Sequence, residues 1–157
     1  MSFFDFDKVQ KDFLAAALKA QKKNAWCDWF MGHDDEKKNT FISDGHFIAI
    51  LPDVMCYIKT GEKTRTIDAK TFLQNMPKEY DIKPVIDTGM RKDITSPCKV
   101  TVCILKAEDG DEIWINKKYL DYFSGMNYRL AGTTAKAPVM VYALDVPVGL
   151  ILPINHK

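Results

Sequence analysis

Side chains able to do chemistry occur in this chain, but none is spaced as a common catalytic site requires. There is no GxGxxG, no GxxxxGK[ST], no HExxH and no GxSxG, so the phosphate cradles, paired metal ligands and nucleophile turns those patterns supply are missing. His33-Asp34-Asp35-Glu36 could offer oxygens and an imidazole to a hard cation. Contiguous loop residues point in different directions, however, and Lys37-Lys38 follows at once, so a solvated loop is the better reading. Glu108, Asp109, Asp111 and Glu112 have the look of a calcium loop, yet Gly110 sits where a hairpin needs it and no bidentate Glu follows at the required distance. Asp34, Asp87 and Asp93 would have to converge in a pocket with perturbed protonation to work as acid and base, and their spacing gives no reason for that. The expectation is a chain that is not an enzyme and needs neither metal nor cofactor.

The four cysteines, Cys27, Cys56, Cys98 and Cys103, form no CxxC pair, and the three histidines, His33, His46 and His156, are scattered. Zinc sites need close ligand pairs. Cys56 and Cys103 lie in apolar runs, VMCYI and VTVCIL, where a thiol behaves as a small core hydrophobe. Reduced structural thiols fit a cytoplasmic protein.

The lysines are better organised. Phe6 to Lys22 contains no Gly or Pro and is rich in Ala, Leu, Lys and Gln, with Asp5 or Asp7 as a cap and Asn24 as a stop. At helical period Phe6, Val9, Phe13, Ala16 and Ala17 gather on one face, while Lys8, Lys11, Lys19, Lys22 and Lys23 gather on the other. A stripe of one sign is unusual where surfaces ordinarily mix signs, and phosphate contact is the functional reading of it. The nearby aromatics do not form a base-stacking platform, because those of the helix lie on its apolar side.

The elements that would carry these residues follow from period and punctuation. The chain has 157 residues, 46% hydrophobic and 27% charged, which bounds it to a single domain, 1–157, with one hydrophobic core. Lys plus Arg number 22 against 21 Asp plus Glu, so binding a polyanion through bulk charge is excluded and only a local basic face could do it. No apolar run is long enough to span a bilayer, and the start, MSFFDFDKVQKDF, carries acids where a secretory signal carries bases. A loop is expected over Gly32 to Asn39. Thr40–Ser43 and His46–Leu51 flank Asp44-Gly45 as a hairpin, and Val54–Lys59 and Thr64–Ile67 read as strands. Asp68 caps a short helix, Ala69 to Met76. Asp81–Asp87 reads as an edge or irregular strand because Pro84 interrupts it, and Thr88 to Pro97 as a mobile loop. Lys99–Lys106 and Glu112–Ile115 make a second hairpin. Asn116 caps a helix, Lys117 to Ser124, closed by Gly125, with Tyr119, Leu120 and Phe123 inward and Lys117 and Lys118 outward. Tyr128–Ala131, Pro138–Leu144 and Val148–Leu152 complete the strands. The two ends echo each other, a helix then strands, without a repeat in sequence.

Ile115–Phe123, INKKYLDYF, is a strand ending in Asn, two variable residues, Tyr-Leu and, one residue on, an aromatic pair. It resembles the C-terminal domain of the bacterial sliding clamp, the DNA polymerase III beta subunit. Ala137-Pro138-Val139-Met140-Val141 resembles that family's penultimate strand, and Val148 to Ile154, VGLILPI, its closing strand. Thr66 to Leu73, TIDAKTFL, is similar to the strand-to-helix transition of clamp domains. The resemblance is best over residues 99–154, and 26–38 and 88–97 match poorly, as loops or insertions would.

The resemblance implies an α+β, DNA-clamp-like domain of two helices packed on antiparallel sheets. It implies a non-catalytic role, with Lys8, Lys11, Lys19, Lys22, Lys23, Lys117 and Lys118 facing the phosphates of duplex DNA and no reading of bases. Replication proteins would be further partners, with a pocket for their peptides near Pro138, Val148, Leu152 and Pro153. Clamp subunits carry three such domains and are acidic outside, whereas this chain is nearly neutral and of one-domain length. Encircling DNA would take a homo-oligomer of about six copies joined head to tail. The alternative is a monomeric peptide-binding module that engages a polymerase or a host clamp without encircling DNA.

Overall fold

The computed structural model describes residues 6–58, 65–68, 70, 74, 83–96, 98–124, 127–132 and 136–155. It is α+β, and it divides into two compact units, Asp5–Asn75 and Met76–Lys157. Among the described residues no helix is long and apolar enough to cross a membrane.

The first unit opens with α1, Phe6–Lys22, with the bounds its composition sets. Phe6, Val9, Phe13 and Ala20 are buried, and so is Gln10. Asn24 ends the helix in the left-handed region at φ 51°. Ala25 N–H donates to the Ala20 carbonyl (2.8 Å) and Asn24 N–H to that of Gln21 (3.1 Å), the paired bonds that cover the last carbonyls of a helix. Four strands follow: β1 Phe30–Asp34, β2 Asn39–Ser43, β3 Phe47–Pro52 and β4 Arg65–Asp68. They lie in the order β4-β1-β2-β3, with β4 parallel to β1 and the other pairs antiparallel. The Asp44-Gly45 hairpin forms between β2 and β3, with Gly45 at φ 96°, a conformation open to glycine at little cost. Phe13 meets Trp29 edge-on at 6.1 Å and Trp29 meets Phe47 at 5.5 Å, an aromatic chain from α1 to the hairpin.

Two expectations fail in this unit. The loop over Gly32 to Asn39 is half strand, because Met31 and Gly32 are buried and paired with both β2 and β4; pairing on two sides outweighs a polar composition. The strand over Val54–Lys59 is instead a 3₁₀ turn, Asp53–Met55, and irregular chain to Ile58, and Lys59 is outside the described residues. Most of its apolar residues do not face a core: Val54 is 94% exposed, and Met55 and Tyr57 are exposed too, while Ile58 is buried. Gln10 takes the backbone groups that a neighbouring strand would have used, its Nε2 donating to the Met55 carbonyl (3.0 Å) and its Oε1 accepting from Tyr57 N–H (2.8 Å). Of the helix expected over Ala69 to Met76, only Lys70 and Gln74 are described, both helical, and Lys70 N–H donates to the Asp68 carboxylate (3.1 Å) as a cap should.

The second unit holds β5 Lys83–Ile94, β6 Val100–Ala107, β7 Glu112–Asn116, α2 Lys117–Asp121, β8 Tyr128–Gly132, β9 Val139–Ala143 and β10 Val146–Ile151. The strand order is β10-β9-β8-β5-β6-β7 and every pair is antiparallel. Cys103, Leu105, Ile113 and Ile115 are fully buried with Leu120 and Phe123, where α2 packs on β6 and β7. Asn116 caps α2 by accepting from Lys118 N–H. The helix is shorter than expected: turns replace it from Tyr122 to Ser124, and Gly125 is outside the described residues. Ile154 N–H donates to the Trp114 carbonyl at 2.7 Å, so the segment after β10 reaches β7 at the other end of the strand order, and this sheet is rolled.

Within the expected edge or irregular strand and the expected mobile loop, Lys83–Ile94 form one strand, β5, lying between β8 and β6, and Asp81, Ile82 and Pro97 are outside the described residues. Pro84 is tolerated because β6 begins to pair only at Val85, so there is no ladder on that side for it to break. Residues 88–94 stay in the strand through a bulge between Asp87 and Arg91, with Gly89 at φ 82° and Thr88 Oγ1 donating to the Ile104 carbonyl at 2.6 Å. Bulges of this kind keep a strand paired past a polar, glycine-containing stretch.

Because Gln10 is buried and satisfies two backbone groups, Gln10→Ala leaves both without a partner. The expected loss is about 2 kcal/mol of unfolding free energy, read from urea titration of the two proteins. A loss within error of zero would mean that water replaces the carboxamide freely.

Candidate nucleic-acid interface

The outward face of α1 carries four lysines, with Lys23 just past its end as a fifth, and is only partly neutralised. Lys8 Nζ is 3.1 Å from Asp12 Oδ1 and Lys11 Nζ is 2.8 Å from Asp7 Oδ2, both one helical turn apart. Lys19, Lys22 and Lys23 are exposed and have no carboxylate within ion-pair distance among the described residues. Lys19 and Lys22 occupy the last turn, where cations suit the negative end of the helix dipole. Leu14 and Leu18, 42% and 53% exposed, lie alongside. The hydrogen bonds from Lys11 and then from the Tyr57 hydroxyl (2.8 Å) hold the Asp7 carboxyl below its ordinary range, which keeps the first turn anionic. The positive charge of α1 is therefore concentrated at its C-terminal end.

On α2, Lys117 Nζ is 2.8 Å from Asp121 Oδ2 and Lys118 Nζ lies 6.0 Å from the centre of the Tyr119 ring, at the outer limit of a cation–π contact. Tyr119, Leu120 and Phe123 are buried, as their spacing requires.

Pro138 precedes β9 and Leu152 follows β10, and since Val139 is in register with Ile151 the two are neighbours, with Pro153 next to them. Leu152 is 39% exposed. Val148 is buried at the bulge between Pro147 and Gly149, four residues from Leu152 and so about 13 Å along the strand. By that register three of the four apolar residues lie at one end of the β9–β10 pair. A shallow, solvent-open hollow lies elsewhere in this unit, lined by Lys83, Pro84, Ala107, Glu108, Asp109 and Gly132.

The acids considered for catalysis are each engaged locally. Asp34 accepts from the N–H groups of Glu36 and Lys37, and Asp93 accepts from Thr101 Oγ1 at 2.6 Å. Asp87 holds Arg91 through two parallel bonds of 2.9 Å, and Arg91 pulls its carboxyl below the ordinary range against partial burial. Burial pushes the neighbouring Cys103 thiol up to about 11 and the Tyr128 hydroxyl up as well, which leaves both protonated and unreactive at neutral pH. Among the described residues no group of three or more His, Cys, Asp or Glu is arranged to hold a metal ion.

Sequence reading missed three contacts. Gln10 was invisible because a glutamine in an apolar stripe looks like a surface residue. Asp87 and Arg91 have a legible four-residue spacing but fell on either side of the boundary between the expected strand, ending at Asp87, and the expected loop from Thr88. The pair His33–Asp53, with Nε2 2.6 Å from Oδ2, is twenty residues apart and left no local signal.

Compared with known proteins, the chain matches no family model, no curated protein and no solved structure.

Cys98 is exposed and Cys103 buried, so iodoacetamide at mildly alkaline pH should modify Cys98 first. Cys103 should react only on unfolding, as peptide mass mapping would reveal. Early modification of Cys103 would contradict the packing of β6.

Proposed function

We propose that this chain is a non-catalytic, clamp-like protein that touches the phosphates of duplex DNA through the lysine face of α1, without reading sequence. The observation that carries the reading is the group Lys19, Lys22 and Lys23, exposed on one end of a rigid helix and lacking a carboxylate partner among the described residues. Ammonium groups on a helix are positioned for a backbone of regularly spaced phosphates, and contacts of that kind tolerate sliding because none depends on register. The resemblance of residues 99–154 to the C-terminal domain of the bacterial sliding clamp supports the same reading. So does the recurrence of a helix followed by an antiparallel three-strand meander, α1 with β1–β3 and α2 with β8–β10. Lys8 and Lys11 add charge earlier on the same helix, each by exchanging an aspartate for a phosphate, and Lys117 and Lys118 of the second unit are proposed as phosphate contacts in their own right.

A second reading rests on Leu152, exposed beside Pro138 and Pro153. It is a monomeric module that binds an apolar peptide of a replication protein there. Light scattering separates the two: a mass of about six chains fits a ring that encircles DNA, and a mass near 17.9 kDa at every concentration favours the peptide module.

Each phosphate contact contributes roughly 0.9 to the slope of log affinity against log salt. Replacing Lys19, Lys22 and Lys23 together by Ala should make the slope for a duplex shallower by about 2 to 3. An unchanged slope would mean that these lysines form a solvated face and nothing more.

A further inference from the structure

The surroundings of His33 fix its protonation state. On β1 its Nε2 lies 2.6 Å from Asp53 Oδ2 and its Nδ1 lies 2.7 Å from Asp35 Oδ1. An ionised carboxylate only accepts, and a neutral imidazole has a single N–H. Both contacts are hydrogen bonds only while the ring carries two protons. Once one proton leaves, a bare nitrogen lone pair faces a carboxylate oxygen. The two carboxylates are not equivalent. Asp53 is held from its other side by Thr40 Oγ1 (2.8 Å), and its N–H donates to the Lys38 carbonyl (2.9 Å). Asp35 is 93% exposed, so the contact that yields is the one to Asp35.

We propose that His33 is a proton-operated latch, which in its charged form closes the turn 35–38 onto the Asp53–Tyr57 segment and on losing a proton lets that turn open.

The charged groups around the ring favour the closed form. Asp53 comes from the 3₁₀ turn and Asp35 from the β1–β2 turn, and Asp68 of β4 stands in register with His33 across the parallel pair. Lys38, at the end of the turn, acts on Asp53 from the opposite sign. The Asp53 hydrogen bond raises the imidazole above its ordinary value, with Asp35 adding to it. For Asp53, partial burial works upward, but the bonds from His33 and Thr40 outweigh it and hold the carboxyl below its ordinary range. The latch therefore contributes fully below the ordinary histidine value of about 6.5 and fades as pH rises through the raised folded value. At the acid end it fails as Asp53 protonates, below the ordinary carboxylate range. Met55 and Tyr57, the residues Gln10 holds, lie just beyond Asp53, so the latch sits at one end of the segment that seats α1.

The test is NMR on the full ¹⁵N-labelled chain. Both ring nitrogens of His33 should be protonated at mildly acidic pH, with a midpoint above about 6.5, and Asp53→Asn should lower that midpoint. Exchange of the Glu36, Lys37 and Asp53 amides should accelerate across the same midpoint beyond the intrinsic rise. The excess should be about tenfold for each unit by which the midpoint exceeds the ordinary value, and absent in His33→Gln. A midpoint at or below the ordinary value overturns the proposal, as does exchange that follows the intrinsic rate through the titration.

Discussion

The buried carboxamide of Gln10 donates to the Met55 carbonyl and accepts from Tyr57 N–H, and the orientation of α1 about its own axis depends on it. Apolar contacts alone hold a helix against a sheet but permit small rotations, because dispersion and burial are not directional. Two hydrogen bonds from one side chain to a fixed stretch of backbone remove that freedom. With Gln10 turned inward, Phe13 meets Trp29, and the lysines of the opposite face point outward. Tyr57 reinforces the arrangement by donating to Asp7, which in turn holds Lys11. Stability and the presentation of charge therefore share one determinant in this unit.

The distribution of charge along α1 has a similar logic. The first two turns contain Asp7 and Asp12, which suit the positive end of a helix and neutralise Lys8 and Lys11. The charged residues of the last turns are lysines alone. A helix could be stabilised at its C-terminus by one cation; three with no acidic partner among the described residues exceed what the dipole rewards. The excess is where a polyanion would find the least competition. It also explains how a nearly neutral chain can hold a basic surface, since the acids elsewhere are spent on turns and local pairs such as Asp34 with its own turn and Asp87 with Arg91.

Much of the fold was legible because local rules decide it. An uninterrupted alanine- and lysine-rich stretch made α1, two Asp-Gly pairs placed hairpins, and Asn116 placed the start of α2. The lysine face followed from period alone. What escaped was decided by partners distant in sequence. Met31 and Gly32 are strand because β2 and β4 flank them, β5 continues through Gly89 because a bulge preserves its pairing, and the run after Pro52 is irregular because Gln10 claims its backbone. Of the four residues expected to form an apolar pocket, Pro138, Leu152 and Pro153 lie at one end of a strand pair, which tests their position and not a pocket. Val148 lies farther back along β10 because proximity in sequence along a strand is separation in space.

The central claim, that the C-terminal half of the α1 lysine face meets phosphates, is tested most directly by amide chemical-shift mapping as a random-sequence duplex is added at low salt. The account predicts shifts concentrated at Lys19, Lys22 and Lys23, the same for unrelated duplex sequences and erased by added salt. Shifts that spare α1, or a spectrum that does not change, would contradict it.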